Sequence, residues 1–273
     1  MLFSIDKTKC KKDGICAEVC PVEIIRMNEI TNFPEAAENA EEICIRCGHC
    51  VSVCPHTAFS LDAMPVEACP ELPAQWRVDP EQMAVFLKAR RSIRRFRDKP
   101  VEKGIIEKLI DSGRYAPSGI NRQPVRWIVI YEKEKVRELA EAAVDWMRGV
   151  IDEGAPLAES LHLDNLVSAW DQGKDRICRG APHLVFAYGL KDDKMAPQAN
   201  TIAMTYLELS AAAFGVGTCW AGYVNMAVNM CGAAQQISGL PKRCASFGAM
   251  MLGYAKYEYR RIPQRNRAKA IWK

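Results

Sequence analysis

The sequence predicts an α+β protein in two parts: a small cysteine-rich module, then a larger domain in which helices cover a sheet. Three observations predict it. Seven of the twelve cysteines fall between Cys10 and Cys54. Charge switches sign along the chain: residues 1–65 hold 6 Lys/Arg and 10 Asp/Glu, a net of −4, and the remainder a net of +8. Beyond residue 80, segments of helical period alternate with β-rich runs, the pattern of a layered α+β domain. With 273 residues, 49% hydrophobic and 26% charged, the chain is long enough and apolar enough to bury a real core. A net charge of +4 is too mild to point to nucleic acid. No apolar run approaches the ~18 residues that span a bilayer, and MLFSIDKTKC lacks a signal peptide's basic-then-apolar order. The expectation is a cytoplasmic protein with neither nucleic-acid nor membrane partners.

The elements follow in order. Residues 1–63 form the first module, with short β-like runs at VEIIRM and AFSLDA. Residues 64–80 carry prolines at 65, 70, 73 and 80, a density that neither a helix nor a sheet interior tolerates, so they read as a linker. Residues 81–273 form the second domain. EQMAVFLKARRS reads as a helix, and VEKGIIEKLIDSGRYA as another with Ile105, Ile106, Leu109 and Ile110 on one face. RWIVIYE, HLVFAYGL and FGAMMLGYA read as strands, and KVRELAEAAVDWMRGVI as a helix. ANTIAMTYLELSAAAFGVG is a long, nearly all-apolar helix that stops at glycine. The amphipathic pieces between about 145 and 180 are expected to form a lid.

Crowded cysteines in a chain without an export signal point to metal rather than disulfides. Cys44-Ile-Arg-Cys47-Gly-His-Cys50-Val-Ser-Val-Cys54-Pro55 has the spacing C-x2-C-x2-C-x3-C-P. Three such thiolates wrap three corners of one iron–sulfur cube, and the fourth, before proline, turns to another. The alternative is a zinc knuckle, which favours two separated C-x2-C pairs. Cys10-Lys-Lys-Asp13-Gly-Ile-Cys16-Ala-Glu-Val-Cys20-Pro21 repeats the template with Asp13 at the second cysteine's place. Asp13 is either an unusual ligand, harder than a thiolate, or a turn residue before Gly14. Cys69, Cys178, Cys219, Cys231 and Cys244 have no metal-like spacing and read as core or surface thiols.

This pair of motifs resembles the two-cluster bacterial ferredoxins over about residues 1–62. The resemblance implies crossed ligation: Cys44, Cys47, Cys50 and Cys20 on one [4Fe–4S] cube, and Cys10, Cys16, Cys54 and Asp13 on a second cluster that is [4Fe–4S] or [3Fe–4S].

Four stretches of the second domain suggest a ligand site. Arg90, Ser92 and Arg94 could converge on an anion; the alternative is a solvated basic face. Pro117-Ser118-Gly119-Ile-Asn121-Arg-Gln123-Pro124 is a turn-rich loop that either hydrogen-bonds a polar ring edge or faces water. Gly215-Val-Gly217-Thr-Cys-Trp-Ala221-Gly222 lets backbone approach a flat ligand, or is a helix cap and turn. Arg260, Arg261, Arg265 and Arg267 form another candidate anion clamp.

Their order and spacing together resemble the FMN-dependent nitroreductase family over about residues 81–273. The resemblance implies a mainly antiparallel central sheet covered by helices, in a homodimer with FMN at the subunit interface. It places Arg90, Ser92 and Arg94 on the FMN phosphate and ring edge, and Pro117, Ser118, Gly119, Asn121 and Gln123 on a loop that reaches FMN from the partner subunit. A backbone N–H near Ala221 or Gly222 would face the flavin N5 edge. Arg261, and less strongly Arg265, would hold the phosphate. Two features depart from the family: Val125 and Arg126 precede Trp127 where an aromatic residue often follows Gln-Pro, and Ala221 stands where some members are acidic.

Iron–sulfur clusters move single electrons and flavin converts between one and two. The expected function is therefore an iron–sulfur flavoprotein oxidoreductase. It passes electrons between its clusters and FMN and reduces a nitroaromatic, quinone or activated alkene, with ferredoxin or another electron-transfer protein as a candidate donor. The relay needs the module to lie near the flavin pocket. The alternatives are an NAD(P)H-oxidising flavoprotein sending electrons outward through its clusters, and a non-enzymatic electron carrier or redox sensor. No G-x-G-x-x-G fingerprint follows a strand, and no dedicated catalytic side chain is expected; His162 and His183 read as packing or surface residues.

Overall fold

The computed structural model describes residues 1–273, which divide into two compact units. The first comprises Met1–Val78 together with Gly119–Arg122. Its elements are β1 (Phe3–Ile5), α1 (Ile15–Glu18), β2 (Ile25–Met27), β3 (Pro34–Ala36), α2 (Ala40–Ile43), α3 (His49–Val53) and β4 (Phe59–Leu61). β1 pairs antiparallel with β4, and β2 with β3. Helices this short cannot sustain themselves; a core of Phe3, Ile24, Ile25, Val51, Phe59 and Leu61 holds them, with the Phe3 and Phe59 rings 4.6 Å apart. The motif repeat is visible in the backbone. α1 and α3 are each entered through a glycine in the left-handed region, Gly14 at φ 77° and Gly48 at φ 76°, which a side chain rarely adopts. At Gly48 a Cβ would also lie 2.6 Å from the Met64 sulfur.

The second unit comprises Asp79–Ser118 and Gln123–Lys273. It contains α4 (Pro80–Ala89), α5 (Lys103–Arg114), β5 (Arg126–Ile130), α6 (Lys133–Asp152), α7 (Pro156–Ser160) and α8 (Leu163–Asp171). These are followed by β6 (His183–Leu190), α9 (Ala196–Ala213), β7 (Gly217–Trp220), α10 (Gly222–Met230), α11 (Gly232–Ser238) and β8 (Cys244–Gly253). α4 starts where Asp79 accepts from the Glu81 and Gln82 amides with Pro80 at its first position, a strong start signal. The sheet runs β5-β6-β8-β7, with every pair antiparallel, as expected.

Both faces of the sheet are covered, so its strands read as continuous apolar runs. Leu184, Phe186 and Met251 point into one core with Leu139, Met147 and Leu163. Val185, Ala187, Met250 and Leu252 point the other way, onto Leu109 of α5 and Met204 and Leu207 of α9. The period of two within β6 and β8 sorts the side chains between the layers.

The expected lid at 145–180 is instead core. Met147, Leu163 and Cys178 are fully buried; the apolar stripe of α6 packs toward the sheet, and α8 packs on α6. Strands β1, β3 and β7 were not expected; β7 lies inside the stretch read as a cap and turn. Cys178, Cys219 and Cys244 are buried thiols, and Cys69 and Cys231 are half-buried. No helix is long and apolar enough to cross a membrane.

Candidate functional site

Two cavities in the first unit are lined by cysteine. One takes Cys20 from the first motif with Cys44, Cys47 and Cys50 from the second. The other takes Cys10, Asp13 and Cys16 with Cys54 from the second motif. Each Cys-Pro cysteine thus sits with the opposite motif's set. Each set gathers cysteines from both motifs around one space. A polynuclear cluster, whose separate irons take separate thiolates, fits such a donor set. Asp13 lines its cavity and also accepts from the Ile15 amide at 3.2 Å, so the ligand and turn readings are compatible. Burial pushes the Cys16 thiol up and the Cys50 thiol up to about 12; taking up iron there releases protons.

Residues 119–122 of the Pro117–Gln123 loop fall within the first unit. The Asn121 amide nitrogen donates to the carbonyls of Ile45 (3.2 Å) and Arg46 (2.9 Å), between the first two cysteines of the second motif. The segment is strained: Ile120, Asn121 and Gln123 have φ of 46°, 54° and 47°, and Ile120 is a β-branched residue for which this is costly. Ser118 accepts from the Gln123 amide at 2.9 Å, which stabilises the turn.

In the second unit the Arg90–Arg94 arm lies along the edge of β7. Ser92 bridges Thr218 in parallel, and the Ile93 amide donates to the Thr218 carbonyl at 2.7 Å. Arg90 turns inward: its Nη1 lies 3.0 Å from Glu208 Oε1. Trp220 Nε1 donates to Glu208 Oε2 at 3.3 Å. Arg90 also lines a cavity of about 500 Å³ with Lys88, Arg91 and Arg265, so four basic side chains and no acidic one face that space. Arg265, the weaker candidate of the tail, lines it; Arg261 does not. Arg94 is exposed, and half-buried Arg179 lies close enough that burial first, and then the Arg94 charge, lower the Arg179 pKa. Nothing in the sequence marked Arg179, and Glu208 was visible only as the single charge in an apolar helix. This charge distribution suits a phosphorylated ligand.

The amides of Ala221 and Gly222 differ in their partners. The Ala221 N–H donates to the Ala249 carbonyl at 2.8 Å and is used by the sheet. Gly222 opens α10, where amides have no partner inside the helix, and a Cβ there would meet nothing within 4 Å. α10 is pinned to β8 by the buried Ser246, whose hydroxyl donates to Asn225 and whose amide donates to Asn229. Trp127 is partly buried and packs on Gly113 against the core. His183 is buried and structural, with Nε2 accepting from the Val101 amide and Nδ1 2.6 Å from the Tyr131 carbonyl. His162 is exposed.

Residues 87–254 match the nitroreductase family model. The chain belongs to the nitroreductase family. Residues 2–61 match the 4Fe–4S dicluster domain, so this family member carries a ferredoxin-type module at its start. A relative from Thermus thermophilus named NADH dehydrogenase is 31% identical over 182 residues, covering 62% of this chain and 84% of the relative. A ferredoxin from Hydrogenibacillus schlegelii named Ferredoxin 7Fe is 39% identical over 57 residues, covering 20% of this chain and 67% of the ferredoxin. The crystal structure of a Bacteroides fragilis nitroreductase with bound FMN superposes with a TM-score of 0.57 at 19% identity, covering 72% of this chain and all of the other. That likeness bears on the nitroreductase fold.

Proposed function

We propose that this nitroreductase is an iron–sulfur flavoprotein oxidoreductase that passes electrons between two clusters and FMN and reduces a small organic acceptor: a nitroaromatic, a quinone or an activated alkene. The observation that carries the reading is the pair of cavities lined by crossed cysteine sets in a chain whose larger unit is a nitroreductase fold. Cys20, Cys44, Cys47 and Cys50 would hold a [4Fe–4S] cube. Cys10, Cys16, Cys54 and Asp13 would hold the second cluster, and the 7Fe name of the Hydrogenibacillus ferredoxin supports a three-iron form there.

FMN, when bound, supplies exchange between one- and two-electron transfer. Lys88, Arg90, Arg91 and Arg265 would hold its phosphate. Ser92 and Arg94 would line its edge, and the Gly222 amide would donate to the ring. Ser118 and Gln123 would approach from a second copy in a homodimer. These groups bind and orient; none is a proton donor by necessity.

A second reading runs the other way, with NAD(P)H as reductant and the clusters as exit. It is favoured by the names of the Thermus relative and of an Archaeoglobus fulgidus relative, the latter called putative NADH dehydrogenase/NAD(P)H nitroreductase and 25% identical over 178 residues, covering 65% of this chain and 88% of that one. Anaerobic purification with iron, sulfide and flavin counts tests the shared part. About eight irons and one FMN per chain support two cubes, and about seven irons a three-iron site. A preparation lacking either group refutes it. Steady-state rates with NADH, NADPH and reduced ferredoxin separate the two directions.

A further inference from the structure

Glu208 is the one charged residue of α9 and is 6% exposed. A carboxylate buried in an apolar layer is costly unless both oxygens are satisfied. Here they are: Oε1 takes Arg90 Nη1 at 3.0 Å and Oε2 takes Trp220 Nε1 at 3.3 Å. Its two partners have different places in the fold. Arg90 caps α4 and begins the arm that runs along β7. Trp220 ends β7, directly before Ala221 and the amide of Gly222 that opens α10. Arg90 also stands between two spaces. Glu208 lines one, of about 300 Å³, with Arg90; the other is the basic cavity shared with Lys88, Arg91 and Arg265. Glu208 does not line the basic cavity, so the carboxylate holds the guanidinium from behind.

We propose that Glu208 is a positioning residue for phosphate recognition: it fixes the Arg90 guanidinium so that its remaining N–H groups face the basic cavity, and through Trp220 it ties that arm to the end of β7. The proposal rests on the flavin reading above and deepens it. An untethered arginine must lose its rotamer freedom when an anion arrives, whereas a tethered one has lost it already. Two effects compete, since the Glu208 charge repels the same anion. Four cations face the cavity against one carboxylate whose oxygens are both occupied, so orientation outweighs repulsion.

The test compares FMN with riboflavin, which lacks the phosphate, on the full-length protein stripped of flavin. Glu208→Gln keeps the side chain's shape and its acceptor for Trp220 but removes the charged hold on Arg90. We expect the FMN Kd to rise about tenfold, the cost of ordering one long side chain, while riboflavin binding changes by less than about twofold. Arg90→Ala with Glu208→Gln should bind FMN no more weakly than Arg90→Ala alone, because the carboxylate acts through the arginine. Equal weakening of both flavins would reduce Glu208 to a scaffold role and overturn the proposal. So would unchanged or tighter FMN binding. Should Glu208→Gln fail to fold, Glu208→Asp retains the buried charge but withdraws it by one methylene, and the same split between the two flavins is expected. A wild-type protein that binds neither flavin refutes the flavin reading itself; a wild type that binds FMN beside a variant that binds it equally well refutes only the role of Glu208.

Discussion

Replacing His183 by Phe isolates the contribution of two hydrogen bonds to the second unit. The ring is 1% exposed and stacks on Tyr131 with centroids 4.5 Å apart and planes 18° from parallel. Its Nε2 accepts from the Val101 amide at 2.8 Å, so Nδ1 carries the proton and donates to the Tyr131 carbonyl at 2.6 Å. Tyr131 returns the favour to the same segment, its hydroxyl donating to the Val101 carbonyl at 3.1 Å. Phenylalanine keeps the stack and the volume but orphans one donor and one acceptor. Each orphan costs about 1–3 kcal/mol, giving roughly 2–6 kcal/mol in all. At about 2–4 °C per kcal/mol for a unit of this size, the melting temperature should fall by roughly 4–24 °C. The pH profile supplies an independent check. Burial first, opposed by the Tyr131 carbonyl and Glu132, lowers the His183 pKa, so the folded state prefers the neutral ring. The stabilisation is fully present above the unfolded value near 6.5 and is lost as pH falls toward the lower folded value. Wild type should therefore lose stability between about pH 7 and 5 more steeply than His183→Phe. Thermal melts of the loaded protein, made without oxygen across that range, measure both. A variant that melts within a degree or two of wild type, with a parallel pH profile, would refute the reasoning.

Three further outcomes are expected. Gly113→Ala would place a Cβ 2.8 Å from the Trp127 ring and 3.3 Å from the Ala203 carbonyl; overpacking of this kind costs about 1–3 kcal/mol, measurable as a lowered melting temperature. Asp13→Cys should shift the EPR signal of one cluster only, and no change in either signal would remove Asp13 from the ligand set. Asn121→Ala deletes two hydrogen bonds to the Ile45 and Arg46 carbonyls and should alter the EPR signal of the cluster assigned to Cys44, Cys47, Cys50 and Cys20. If FMN affinity falls instead while both cluster signals stand, Asn121 serves the flavin.

Long elements were legible because their periods are strong. β6 and β8 appeared as apolar runs, and α5 and α9 as helical ones. The crossed pairing of the cysteines was legible only through the resemblance to two-cluster ferredoxins, because long-range packing, and not spacing, brings Cys20 to Cys44 and Cys54 to Cys10. Three-residue strands such as β1 and β3 have too few positions to show a period. An amphipathic segment declares an apolar face but not what covers it, so residues 145–180 were read as a lid where the structure has core. Asn121 and Arg265 show the same limit in the site. A motif fixes residue types along the chain, whereas a left-handed turn at 120–123 and an extended tail decide which side chain reaches which cavity. Glu208 was hidden because its partners lie 118 positions before and 12 after it.

Gly217 constrains how far the Arg90–Arg94 arm, to which we assign phosphate binding, can be redesigned. A Cβ at that position would lie 2.6 Å from Ile93, the inward-facing residue between Ser92 and Arg94. Even alanine there would lever the arm off the sheet and displace its neighbours on both sides. Libraries that diversify prosthetic-group preference should therefore hold position 217 invariant, although it touches none of the charged groups. Loss of bound flavin, counted after extraction, in a Gly217 variant would report a bent lever rather than a missing ligand contact.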